Sequence, residues 1–247
     1  MFPLLLLGSV LGCGVPPPAS SVETRFLASD WNIVYHAEAE LESGDAASLP
    51  LLVKLLDRRE LVPLTNTADL IYPGAKTFYG HGWLIDYDLD RVDVRAGWAL
   101  EELTFENFGF AENVIRKEDL LAPVLEGQRD VPLRDVNAPD DASAREVKRA
   151  KALERARTWY RRNQSWSRYQ ALKAALSSDD DYRQVKALSW LRYGKTPCRG
   201  LSLERYGREI IPLVKALAAH KDKAVREQAT LLLGDQGNYW WSLKAQP

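Results

Sequence analysis

The stretch Tyr79-Gly80-His81-Gly82-Trp83-Leu84-Ile85-Asp86-Tyr87-Asp88 sets one imidazole between two glycines, shortly ahead of two carboxylates. A histidine beside a carboxylate can move a proton as acid or base. His81 with Asp86 or Asp88 would therefore suit a hydrolase or lyase. Neither a serine nor a cysteine nucleophile in a recognisable setting accompanies them, so catalysis is the second reading of this stretch. The first reading is binding, because Tyr72, Phe78, Tyr79, Trp83 and Tyr87 crowd aromatic surface around the same histidine. Those five and His81 are the candidate binding residues, presented to a protein or a glycan.

Asp86, Asp88 and Asp90 alternate as the opening of a calcium loop does. Arg91 stands where such a loop needs glycine, however, and Gly97 where it needs a bidentate glutamate. The three are weak metal candidates and read more simply as solvated loop carboxylates or a cap for the next helix. His36 and His220 lie on helical patterns without ligand spacing and read as surface residues. The run Tyr193-Gly194-Lys195-Thr196-Pro197 lacks the first glycine of a phosphate loop, since Ser189 occupies that place. Nothing calls for a cofactor.

These residues sit in a segment with no helical period, from Arg58 to Asp90, punctuated by Pro63, Pro73, Gly74, Gly80 and Gly82. Helical patterns flank it. Asp30 to Leu41 carries a cap at Ser29 or Asp30 and closes at Gly44-Asp45, and Ser48-Leu49-Pro50 starts a second helix striped by Leu51, Leu52, Leu55 and Leu56. After the loop, Asp93 to Leu103 places Ala96, Ala99, Leu100 and Leu103 on one face and stops at Asn107-Phe108-Gly109. Small residues Ala96, Gly97 and Ala99 suit close helix packing, with Phe105, Phe108 and Phe110 covering the core. Arg116 to Ala144 is a polar, proline-punctuated excursion. A long basic helix to about Arg162 follows, interrupted by Glu146 and Glu154, so its charge reads as a solvated face. Further helices are expected over Ser165–Ser177, Tyr182–Tyr193, Leu203–Ala219 and Ala224–Leu233, with Trp240 and Trp241 closing the end.

The chain has 247 residues, 46% of them hydrophobic, and a net charge of −1. That supports a packed core and gives no electrostatic footprint for nucleic acid. Phe2 to Leu11 is too short to span a bilayer but reads as the apolar part of an export signal. Val10-Leu11-Gly12-Cys13 resembles the bacterial lipoprotein box. The resemblance implies cleavage after residue 12, acylation of Cys13 and a stiff tether through Pro16-Pro17-Pro18. The basic residues usual ahead of such a run are missing. Membrane attachment then comes through the lipid alone, and Cys198 becomes the sole free thiol.

Three segments, DVRAGWALEEL, DYRQVKALSWL and AVREQATLLLG, align on Arg95, Arg183 and Arg226, each followed five residues later by Leu100, Leu188 or Leu231. Helices with proline, aliphatic and lysine positions recur at 49–57 and 211–222. Together, residues 211–237 resemble a HEAT repeat, and residues 49–103 resemble another with Arg58 to Arg91 inserted at the turn. The resemblance implies an all-α stack of antiparallel helical hairpins, an α-solenoid, over 29–240, with insertions at 58–91 and 111–143. Residues 1–12 form the signal, 13–28 the acylated cysteine and tether, and 241–247 a tail. It further implies an interaction or scaffold module of the cell envelope, lipid-anchored on the periplasmic or extracellular face, with a hydrolase or lyase using His81 and a nearby Asp on the same scaffold as the alternative.

Overall fold

The computed structural model describes residues 21–66, 88–110, 142–194 and 196–234. The protein is all-α. Among the described residues the only strand-like pairings are isolated bridges, Asp30 with Thr65 and Leu61 with Arg91. No helix among them is long and apolar enough to cross a membrane.

Helix α1 (Val22–Phe26) is capped by the Ser21 hydroxyl and leads into α2 (Trp31–Gly44). Of the two residues expected to cap α2, Asp30 does so: one carboxylate oxygen accepts from Asn32 N at 2.9 Å and the other from the Asn66 side chain at 2.9 Å. The chain leaves α2 through Asp45, which takes the positive φ of 54° that glycine usually supplies, although Gly44 is adjacent. A 3-10 turn, Asp45–Ser48, feeds α3 (Leu49–Leu55). A second 3-10 turn, Asp88–Asp90, precedes α4 (Val92–Thr104). The long basic helix is α5 (Ala142–Arg162).

Beyond it come α6 (Arg168–Leu176) and α7 (Asp181–Tyr193), the latter capped by Asp180 through Tyr182 N and Arg183 N. The helix expected over Leu203–Ala219 is interrupted. It starts as α8 (Leu203–Arg205), widens into a π turn over Tyr206–Ile210 and resumes as α9 (Ile211–Leu217). Pro212 accounts for the break, since it has no N–H for the carbonyl four residues back and its ring crowds that carbonyl. Helix α10 (Lys223–Gly234) packs on α7 and α9.

Two apolar clusters form the interior. The first gathers Phe26, Trp31 and Val34 with Leu52, Leu55, Leu100, Phe108 and Ala156, from α1 to α5. The second gathers Leu172, Leu188, Leu191, Ile210, Val214 and Leu232, from α6 to α10. Each fully buried leucine contributes roughly 1.5–3 kcal/mol, so the clusters dominate stability. Phe105 crosses between them. It ends α4 in the left-handed conformation, φ 57°, and swings its ring onto Trp190, edge to face at 5.8 Å.

Close approach at α4 follows the expected logic. A Cβ on Gly97 would sit 2.4 Å from the buried Phe110 ring. The shared offset of Leu100, Leu188 and Leu231 from their arginines predicts equivalent burial between helices, and that expectation is corrected at α10. Leu100 and Leu188 are fully buried, but Leu231 is 42% exposed and Leu232 takes the interior place. Helix α10 is turned by about one residue because its described neighbours, α7 and α9, cover only the face carrying Val225, Gln228, Ala229 and Leu232.

Candidate functional site

The expected binding residues Tyr72, Phe78, Tyr79, His81, Trp83 and Tyr87 lie outside the described residues, as do Asp86 and Cys13. Asp88 opens the 3-10 turn ahead of α4. Asp90 fastens the chain: Leu64 N donates to its carboxylate at 2.8 Å and Val62 N to its carbonyl at 2.7 Å. Among the described residues no group of three or more His, Cys, Asp or Glu side chains is placed to hold a metal. His36 is exposed, as expected. His220 is half-buried: its Nδ1 accepts from Asp222 N at 3.1 Å and its Nε2 stands 4.0 Å from Asp181, so it braces the turn before α10.

The three aligned arginines share a role. Arg95, 0% exposed, donates to the carbonyls of Leu89, Phe26, Ala28 and Val62 at 2.9–3.2 Å. Arg183 donates to Phe105 O at 3.3 Å, where α4 ends. Arg226 donates to His220 O at 2.7 Å and Lys221 O at 3.2 Å, just beyond α9. Each stands in the first turn of one helix and satisfies carbonyls that end or follow another. Burial lowers the Arg95 pKa, which Glu38 and Asp90 partly offset.

The densest gathering of buried charge described lies where the two clusters meet. Arg168, at the start of α6, is 1% exposed and pairs with Glu42 of α2. Its guanidinium lies 4.8 Å from the Trp190 ring centre and 5.3 Å from that of Phe105. Trp190 Nε1 donates to the same Glu42 carboxylate at 2.7 Å, and Asp45 accepts from Arg168 N at 2.9 Å. The left-handed turn at Asp45 thus aims a carboxylate at the N-terminus of α6, where the helix dipole favours it.

Alongside, Arg183 meets Glu106 at 2.9 Å, and Lys186 meets Glu102 at 3.0 Å and Glu101 at 4.0 Å. Glu101 is wholly buried within α4. Its Oε1 accepts from the N–H groups of Phe108, Gly109 and Phe110 at 2.7–3.0 Å, a nest that holds the turn after the helix. Burial works against the Lys186 ammonium, but Glu102, Tyr182 and Glu101 outweigh it and hold its pKa above the usual lysine value. Burial pushes the Tyr182 phenol up to about 12, with Glu101 and Glu102 adding to it. Burial raises the Glu106 pKa, against the pull of Arg183. In every pair described across this seam the acid comes from α1–α5 and its connections, and the base from α6 or α7.

Chemically, the seam binds helix to helix. Cys198 lies 4% exposed close to it, and burial pushes its thiol up to about 12, so it is protonated at neutral pH and a poor nucleophile. Sequence reasoning missed Glu42, Asp45, Arg168 and Trp190 because no local motif joins positions so far apart. Glu101 left one trace, a carboxylate on a largely apolar face just ahead of a Phe-Gly-Phe turn. No family model, curated protein or solved structure matches the chain.

Proposed function

We propose that this protein is a lipid-anchored, HEAT-like stack of helical hairpins acting as an interaction or scaffold module of the cell envelope. The observation that carries the reading is that Arg95, Arg183 and Arg226 stand in the first turn of three helices and each donates to main-chain carbonyls at or beyond the end of another element. Repeated units that cannot close a core alone rely on such equivalent contacts, and stacks of them mostly present surface to partners. Val10-Leu11-Gly12-Cys13 and the prolines after it support the anchor. The aromatic residues Tyr72, Phe78, Tyr79, Trp83 and Tyr87, with His81, supply the partner-facing surface.

The test uses the full chain made in a bacterial host. Mass spectrometry of the membrane fraction is expected to show Cys13 acylated, and Cys13→Ser to release the protein. A photoreactive amino acid at Tyr79 or Trp83 is expected to give one discrete crosslinked envelope protein or glycan. An unmodified Cys13 removes the anchor. Crosslinks that are absent from both positions remove the partner surface.

A further inference from the structure

Helix α5 carries cations of two kinds. Some are paired: Arg149 with Glu146 at 2.6 Å, Arg157 with Asp57 at 2.5 Å and Arg161 with Glu154 at 3.2 Å. Glu146 also holds Arg91, just ahead of α4, at 2.5 Å. Both glutamates of α5 that break up its basic sequence are therefore engaged. Lys148, Lys151, Arg155 and Arg162 are different. All four are exposed, and none forms an ion pair or hydrogen bond among the described residues. Their spacing, three, four and then seven positions, puts them in one row along a single flank of the helix. At 1.5 Å per residue the row is about 21 Å long. The buried residues Ala152, Leu153 and Ala156 fix its direction by turning the adjoining face into the first cluster.

We infer that this row is a docking surface for anionic phospholipid headgroups, which orients the folded domain against the bilayer. Clusters of four to eight basic side chains on one helix attract anionic membranes once they are within a Debye length. The row contains none of the aromatic anchors that centre protein interfaces, so its attraction is that of charge for charge. The inference rests on the proposed acylation of Cys13 for proximity. From Cys13 to the start of α1 the chain reaches at most roughly 30 Å, which holds the start of the folded domain near the surface. Acyl chains retain the protein, and the row decides which side of it faces the lipid. This adds a contact of the folded domain to the anchor that the sequence suggests.

The test separates the row from the anchor by using the full chain with Cys13→Ser and sedimenting it with vesicles. Against vesicles of phosphatidylglycerol and phosphatidylcholine, binding is expected at 0.05 M salt and to weaken steeply by 0.5 M. Lys148→Gln, Lys151→Gln, Arg155→Gln and Arg162→Gln together are expected to reduce it on the order of a hundredfold. Lys54→Gln, Lys215→Gln, Lys221→Gln and Lys223→Gln together change net charge equally and are expected to lower it only a few-fold. Equal losses in the two variants overturn the proposal. So does equal binding to pure phosphatidylcholine, which marks insertion of residues 2–11. Capture by polyglutamate beads without vesicle binding also overturns it and assigns the row to an acidic protein. Circular dichroism of both variants verifies folding. Failure of Cys13 acylation is read separately by mass spectrometry and leaves these outcomes intact.

Discussion

Trp190 and Glu42 are joined by an indole N–H donating across 2.7 Å to a carboxylate 148 positions earlier, and that carboxylate also neutralises the buried Arg168. The bond ties α2 to α7 over the guanidinium that separates them. Removing one member of such a pair leaves a desolvated charge without its counterion. Glu42→Gln is expected to cost about 3–5 kcal/mol in urea unfolding. Glu42→Gln combined with Arg168→Met is expected to cost clearly less than the sum of the two single changes, because no lone charge is left behind. Additive losses would show that the pair is not coupled.

Leu231 and Leu232 test how α10 is turned. Leu232 is fully buried and Leu231 is 42% exposed. Leu232→Ala is expected to lose about 2–5 kcal/mol. Leu231→Ala is expected to lose under about 1 kcal/mol, in the range of surface changes. Chemical denaturation of both variants checks the order, and a reversed order returns Leu231 to the interior.

Gly97→Ala opposes two effects of different size. Alanine is favoured over glycine inside a helix by about 1 kcal/mol. Its Cβ would meet the buried Phe110 ring at 2.4 Å, and forcing a methyl into a packed interior costs about 1–3 kcal/mol. A net fall in melting temperature is expected, with recovery when Phe110→Leu is added. A rise in the single variant would mean that α4 and the Phe110 turn are less closely packed than described.

Hydrogen bonds from Lys173, Tyr169 and Arg208 draw the Glu209 carboxyl down from 4.5 to about 2. Its folded value lies below the unfolded one, so between them the unfolded chain binds the extra proton. The contribution of Glu209 is therefore complete above about pH 4.5 and is lost as pH falls towards 2. Glu209→Gln is expected to flatten the acid limb of the stability profile in that window and to leave its shape unchanged above pH 5. Following unfolding by circular dichroism from pH 6 to pH 2 measures this, and superimposable acid limbs would refute it.

Much of the helical plan was legible because it is periodic: the cap at Asp30, apolar stripes on α3 and α4, and the small residues of α4 all act locally. The π turn before Pro212 was not legible, because the helical pattern over Leu203–Ala219 continues through the proline and gives no sign of how it crowds the preceding carbonyl. Leu231 was misplaced because a shared offset from arginine sets the rotation of a helix only while its neighbours are also shared. The seam stayed hidden for a different reason. Glu42, Asp45 and Arg168 are ordinary surface residues by type, and only tertiary packing makes Asp45 hold a left-handed turn and Arg168 lie between two rings. Of the candidate aromatic site, the described structure includes only the edges: the chain up to Asn66 and the Asp88–Asp90 turn.

The one-way charge of the seam also limits what the protein can do with a second copy of itself. Two N-terminal portions bring carboxylates to carboxylates, and two C-terminal portions bring cations to cations, so neither like pairing closes. A chain whose seam has opened finds its complement in the opposite portion of another chain. Reciprocal exchange of portions then gives a closed, swapped dimer, and one-way exchange gives an open chain of molecules that lengthens by the same contact.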